Sequence, residues 1–208
     1  MPHGINGCRL IMAKGKVHMN IQELFILSNR ELLRVISQIK DEQFSLMMPP
    51  GMSRKPGNLK TAVQYHTYDD AWVPDVLLGK TKADVGDTFE GLRTSSDVQA
   101  DYATYNQLAI DAVQDFSALD RMTHLSYGDF PAKDYLQHIT TFRAFRSYDI
   151  AQLIGIDVRM KPDFVQALLD EYSPLIEGYR AMGVFPPALT VSQDASPQEK
   201  LLAMVGRK

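Results

Sequence analysis

Five polar side chains interrupt apolar helical stripes, and they are the residues of this sequence best placed to do chemistry. His66 and Asp70 break the stripe of one predicted helix, whereas His138, Arg146 and Asp149 break the stripe of another. A polar group without a partner in a protein core costs free energy, and an unpaired charge costs more. We therefore expect these side chains to meet one another, a metal ion, a ligand or a water-filled pocket. The alternative for His66 is a structural hydrogen-bond network, and Asp149, late in its helix, can instead cap the helix or pair locally.

Other signatures of catalysis are absent from the sequence. It holds no GxSxG motif, no glycine-rich phosphate loop, no HExxH and no CxxC. Its one cysteine, Cys8, cannot form a disulfide within the chain, which fits a reducing compartment. We therefore expect a cytoplasmic protein whose site lies among the helices.

Helices must position these side chains, because apolar residues recur at three- and four-residue steps along most of the chain. Asn58 is the expected N-cap of the second helix, Pro131 lies in the first turn of the fourth, and Gly155 ends that helix. Ser196 and Glu199 form the capping box of the last helix. No segment between residues 21 and 182 shows the pattern of a strong strand. The predicted helices cover residues 20–39, 58–77, 96–116, 131–155, 162–182 with a bend at Pro174, and 196–204.

Length and composition limit the fold and the partners. The chain has 208 residues, of which 45% are hydrophobic and 23% charged, as is usual for a globular protein. A net charge of -3 leaves no basic surplus for phosphates, so we expect no nucleic-acid partner. No apolar run approaches the ~20 residues that span a bilayer, so we expect no membrane partner. We predict a loose N-terminal extension over residues 1–18 and a single domain over residues 19–208.

Three stretches carry a resemblance to a known family: GDFP at 128–131, FRSYDIA at 145–151, and the tail at 185–207, with its FPP, ASP and Gly-Arg motifs. They resemble the fourth helix and the C-terminal tail of the DinB/YfiT-like superfamily. Within it, the chain is most similar to the N-terminal domain of mycothiol-dependent maleylpyruvate isomerases of the actinobacterial type. His66, late in the second helix, is placed like the first metal-ligand histidine of that family.

The resemblance implies an all-α fold, namely a DinB-like four-helix bundle with an additional C-terminal helix and a short helical tail. It also implies a divalent metal, zinc or nickel, which one histidine of the second helix and two ligands of the fourth helix would hold. The chemistry implied is isomerisation or group transfer with a low-molecular-weight thiol, such as mycothiol or bacillithiol.

The sequence departs from the family at the metal ligands. Counted without gaps from Gly128, the glutamate of the family falls on Phe142 and its second histidine on Arg146. A phenyl ring cannot ligate a metal, and a guanidinium is a cation that only donates hydrogen bonds. Of the three usual ligands, only His66 remains.

Two accounts of this departure stay open. In the first, His138 lies one helical turn before Phe142 and joins His66 and Asp70 in a displaced His-Asp-His metal site. In the second, Arg146 takes the place of the metal and pairs with Asp70, so that one cation replaces another. We prefer the second account because it explains why the ligands and the charge changed together.

These accounts lead to two functional hypotheses. The first is a metal- and thiol-dependent isomerase or transferase with a degenerate metal site. The second is a metal-free, non-catalytic protein that binds a small anion or another partner on the same bundle, with Arg146 and Asp70 as its binding residues. The expected partner is a small molecule, and an arginine in the site would favour one that carries negative charge. A second copy of the chain stays open as a further partner.

Overall fold

The computed structural model describes residues 12–13, 16–49 and 57–208. Its contacts divide the chain into two compact units. One unit comprises residues 21–159 and contains all the predicted site residues. The other comprises residues 160–208 together with the described residues before Ile21. The single domain over residues 19–208 stays a prediction.

The described chain is mostly helical, with short two-stranded pairings. The strands β1 (Met12–Ala13) and β2 (Lys16–Val17) form a two-residue antiparallel pairing within the predicted N-terminal extension, most of which lies outside the described residues. In chain order the elements are β1 Met12–Ala13, β2 Lys16–Val17, α1 Ile21–Ile36, a 3-10 helix Asp41–Ser45, α2 Leu59–Leu77, α3 Lys82–Val85, a 3-10 helix Glu90–Thr94, α4 Val98–Gln114, β3 Met122–Leu125, β4 Gly128–Pro131, α5 Ala132–Ile154, α6 Pro162–Tyr172, α7 Ile176–Ala181 and α8 Pro197–Met204.

The helices α1, α2, α4 and α5 pack as a bundle in the first unit. The helix α1 packs against both α5 and α4, and α4 packs against α2. The backbones of α2 and α5 approach each other less closely than those of the packed pairs. Long side chains can therefore bridge α2 and α5. Helical packing was predicted correctly, because each of these helices buries an apolar stripe.

The ends of α2 and α5 follow from local chemistry. The Asn58 side chain accepts hydrogen bonds from the backbone N–H of Thr61 at 3.0 Å and from its hydroxyl at 2.9 Å, which confirms the predicted N-cap. The helix α2 continues through Pro74 to Leu77. Gly155 ends α5 with a φ of 77°, in the left-handed region that favours glycine.

The antiparallel hairpin of β3 and β4 precedes α5, and it was not predicted, although the sequence analysis excluded only strong strand patterns in this region. Met122 pairs with Pro131 and Leu125 with Gly128, which leaves a two-residue turn at Ser126 and Tyr127. Strands of four residues are too short for alternation to be recognised in the sequence.

The second unit contains the last three helices. The predicted helix 162–182 divides into α6 and α7, with Pro174 in the break between Tyr172 and Ile176, because proline cannot donate the helical hydrogen bond. The capping box of Ser196 and Glu199 opens α8 as predicted. None of the described helices is long and apolar enough to cross a membrane.

Candidate functional site

The helix α5 presents a different arginine to the core from the one expected. Every residue from 139 to 151 is buried except Phe142 and Arg146, which are half-buried. Two residues of the stripe that was predicted to face inward, Phe142 and Arg146, are therefore less buried than their neighbours, whereas Asp149 of the same stripe is buried. The core-facing stripe instead carries Ile139, Arg143 and Ile150. Arg143 is fully buried and is the largest fully buried side chain among the described residues.

Arg143 binds His66 and Asp70, the two residues of α2 that the sequence analysis singled out. Its Nε and Nη2 donate to Asp70 Oδ1 at 2.9 Å and 2.6 Å. Its Nη1 lies 3.0 Å from Nδ1 of His66, which can accept a hydrogen bond only when that nitrogen carries no proton. The carboxylate of Asp69, which is 53% exposed, lies 3.9 Å from Nη1. The long side chain of Arg143 thus bridges α2 and α5.

A second group of polar side chains lies at the centre of the bundle, and sequence reasoning missed it. The amide nitrogen of Asn106 in α4 lies 2.8 Å from Asn29 Oδ1, 3.0 Å from the Tyr102 hydroxyl and 3.3 Å from Asp70 Oδ2. Asn29 belongs to α1 and donates to the backbone oxygen of Phe25 at 3.1 Å. All four bundle helices therefore contribute to one buried network. Asn29 and Asn106 lie on the buried sides of their helices. Their position within the apolar stripes of these helices is the sequence signal that could have identified them.

The electrostatics of this network favour a neutral histidine between charged neighbours. Burial, followed by the guanidinium groups of Arg143 and Arg146, holds the pKa of His66 well below its usual 6.5. Burial raises the pKa of Asp70 above its usual 3.8, while Arg143 opposes this shift. Burial works to lower the pKa of Arg143, but the carboxylates of Asp70 and Asp69 raise it above its ordinary value. Two close nitrogen contacts to one oxygen identify an arginine–carboxylate ion pair.

The expectation that Arg146 pairs with Asp70 was wrong, because Arg143 makes that pair. Arg146 lies three residues further along α5, where its Nη1 is 3.3 Å from Asp149 Oδ2. The Asp149 side chain is fully buried and that of Arg146 is 12% exposed. This contact confirms that Asp149 pairs locally.

His138 lies away from the centre, beside the β3–β4 hairpin. Its Nδ1 is 3.3 Å from the Tyr127 hydroxyl, and its ring packs edge-on against Phe130 at 5.1 Å between centroids. It is half-buried, and burial lowers its pKa while Asp134 opposes that shift. Its neighbours are thus mainly aromatic.

The described residues do not fit the divalent metal that the family resemblance implies. Within the described ranges, no three His, Cys, Asp or Glu side chains form a group that could hold a metal ion. The displaced set of His66, Asp70 and His138 is therefore not assembled. A cation already lies between His66 and Asp70, because Arg143 contacts both of them. A second cation there would meet electrostatic repulsion.

The chain was compared with known families, curated proteins and solved structures, and none of the three comparisons gave a match. The resemblance to the DinB/YfiT-like superfamily therefore stays a prediction from the residues.

Proposed function

We propose that this protein is a non-catalytic interaction protein built on a DinB-like bundle, in which Arg143 replaces the metal ion. The contact of one buried guanidinium with both Asp70 and His66 is the observation that carries the proposal. A guanidinium keeps its positive charge and only donates hydrogen bonds, so it cannot take over the Lewis-acid role of a metal ion.

The hydrogen bonds that the buried side chains already make support this proposal. A catalytic centre needs groups that can bind substrate or exchange protons. Here Asp70 accepts from Arg143 and Asn106, and Nδ1 of His66 faces a guanidinium. Such a network suits a bundle that must hold one packing arrangement.

The same geometry disfavours a small anion at Arg143. The carboxylate of Asp70 already neutralises the guanidinium, and the carboxylate of the half-exposed Asp69 lies 3.9 Å from Nη1 of Arg143. An incoming anion would meet these two carboxylates. A partner that binds the outside of the bundle fits better than a ligand inside it.

Elemental analysis of untagged protein, purified without chelators, tests the proposal. We expect far less than one zinc or nickel ion per chain, in the wild type and in the His66→Ala and His138→Ala variants alike. One metal ion per wild-type chain that both variants lose would contradict the proposal and restore the metal- and thiol-dependent enzyme. Far-UV circular dichroism of each variant provides the control for folding.

A further inference from the structure

An aromatic cluster covers a face of α2 that is separate from the buried network. Tyr65, Tyr68 and Trp72 follow one another at steps of three and four residues, so they share one side of the helix. All three are half-buried. The rings of Tyr68 and Trp72 are 6.1 Å apart, and Phe89 packs edge-on against Trp72 at 5.6 Å. We call Tyr65, Tyr68, Trp72 and Phe89 the aromatic face.

A guanidinium from the same chain already lies on this face. The Cζ atom of Arg93 is 3.9 Å from the ring centre of Tyr68 and 5.5 Å from that of Tyr65. Glu90 contacts both the ring and the cation: its carboxylate accepts a hydrogen bond from the Tyr68 hydroxyl at 3.0 Å and lies 3.4 Å from Arg93 Nε. The arrangement combines flat aromatic rings with a carboxylate, which is the chemistry that recognises arginine.

We propose that the aromatic face is the docking surface for an arginine-bearing segment of a partner protein. In the free protein, Arg93 occupies the place that the arginine of the partner would take. The proposal names the partner of the interaction protein described above and rests on that function. The Arg93 and Glu90 side chains are 39% and 38% exposed, so this contact lies at the surface. Exposed ion pairs are weak, so the arginine of a partner can take the place of Arg93.

One further feature favours an arginine over a purely apolar partner. Glu90 and the 53% exposed Asp69 bring negative charge to this side of α2, which complements a basic segment.

Fluorescence provides a direct test, because Trp72 is the one tryptophan of the chain. The probe is a blocked Gly-Arg-Gly tripeptide, titrated into wild-type protein and into the Arg93→Ala and Arg93→Gln variants. We expect both variants to bind the tripeptide about tenfold more tightly than the wild type, since the internal competitor is gone. Adding Tyr68→Leu to either variant should abolish the binding.

The matched control is Arg34→Ala. Arg34 also forms an exposed ion pair with the glutamate three residues before it, Glu31, at 2.6 Å. This variant should bind the tripeptide as the wild type does. A blocked Gly-Gly-Gly tripeptide should leave the fluorescence unchanged.

Three results would overturn the proposal: unchanged Trp72 fluorescence in both folded Arg93 variants, equal tightening in Arg34→Ala, or self-association of the Arg93 variants in place of tripeptide binding. If both Arg93 variants fail to fold, Arg93 is a packing residue and the proposal is likewise wrong.

Metal content of the same preparations separates this inference from the proposed function. A bound metal with tripeptide binding intact would remove only the function, whereas metal-free protein without tripeptide binding would remove only the inference.

Discussion

Arg143 is the residue on which the interior of the bundle depends. Its guanidinium and the Asp70 carboxylate are both fully removed from solvent. A buried ion pair adds little net stability over an apolar pair of the same size, but loss of one partner leaves a charge buried without compensation. The pair therefore specifies how α2 and α5 meet more than it stabilises the fold.

Replacement of Arg143 by methionine, which keeps much of the aliphatic stem, tests this asymmetry. We expect Arg143→Met to lower the free energy of unfolding by about 3–5 kcal/mol, because Asp70 is left buried and unpaired. Urea unfolding followed by circular dichroism measures it. Adding Asp70→Leu should recover most of the loss. The control is Arg159→Met, whose ion pair with Asp157 is highly exposed and should cost less than about 0.5 kcal/mol. Equal losses in the two single variants would refute the account.

His66 should make stability depend on pH in one direction. Its folded-state pKa lies well below 6.5, the ordinary value that it regains on unfolding. As the pH falls below about 6.5, the unfolded chain binds a proton that the folded chain does not, so stability falls, by at most about 1.4 kcal/mol per pH unit for one proton.

The variant His66→Asn, whose side-chain oxygen can accept from Arg143, should have a flatter stability profile over this acidic range. The shift of Asp70 has the opposite sign, because a raised carboxyl pKa favours the folded chain on acidification, and it is present in both proteins. Parallel wild-type and variant profiles from urea titrations would show that His66 is not the group responsible.

At the level of the helices, the sequence predicted α2 better than α5, and the reason lies in their burial. The helix α2 has a half-buried side opposite its buried one, so His66 and Asp70 could be recognised as interruptions of a single buried stripe. The helix α5 is buried on almost every side between residues 139 and 151. Periodicity there does not distinguish Arg143 from Arg146, and the choice fell on the wrong arginine. Only contacts between helices determine which arginine reaches Asp70.

Gly155 offers a test of how α5 ends. Its φ of 77° strains any residue with a side chain, and a Cβ there would meet no atom within 4 Å, so strain alone decides the outcome. We expect Gly155→Ala to cost about 1–2 kcal/mol in urea unfolding. Gly91→Ala is the control, because a Cβ there also meets nothing and its φ lies outside the left-handed region. A loss in the control as large as in Gly155→Ala would contradict this explanation.

For the molecule as a whole, the bundle of residues 21–159 has a polar centre in which an arginine supplies the positive charge, while the buried Oδ1 of Asn106 has no hydrogen-bond partner among the described residues. Asn29, Asp70, Asn106 and Arg143 bring all four bundle helices into one network. The sequence predicted the helices and the need for polar partners inside them. It could not predict the network itself, because each contact joins residues far apart in the chain.

Nitrogen-15 NMR of the His66 imidazole near neutral pH tests whether the Arg143 guanidinium is the cation that contacts His66 and Asp70. We expect a neutral ring whose unprotonated Nδ1 accepts a hydrogen bond, and an unchanged spectrum after one equivalent of zinc is added. A shift of either ring nitrogen of His66 to a metal-bound value on addition of zinc would show that a metal ion binds there in place of Arg143.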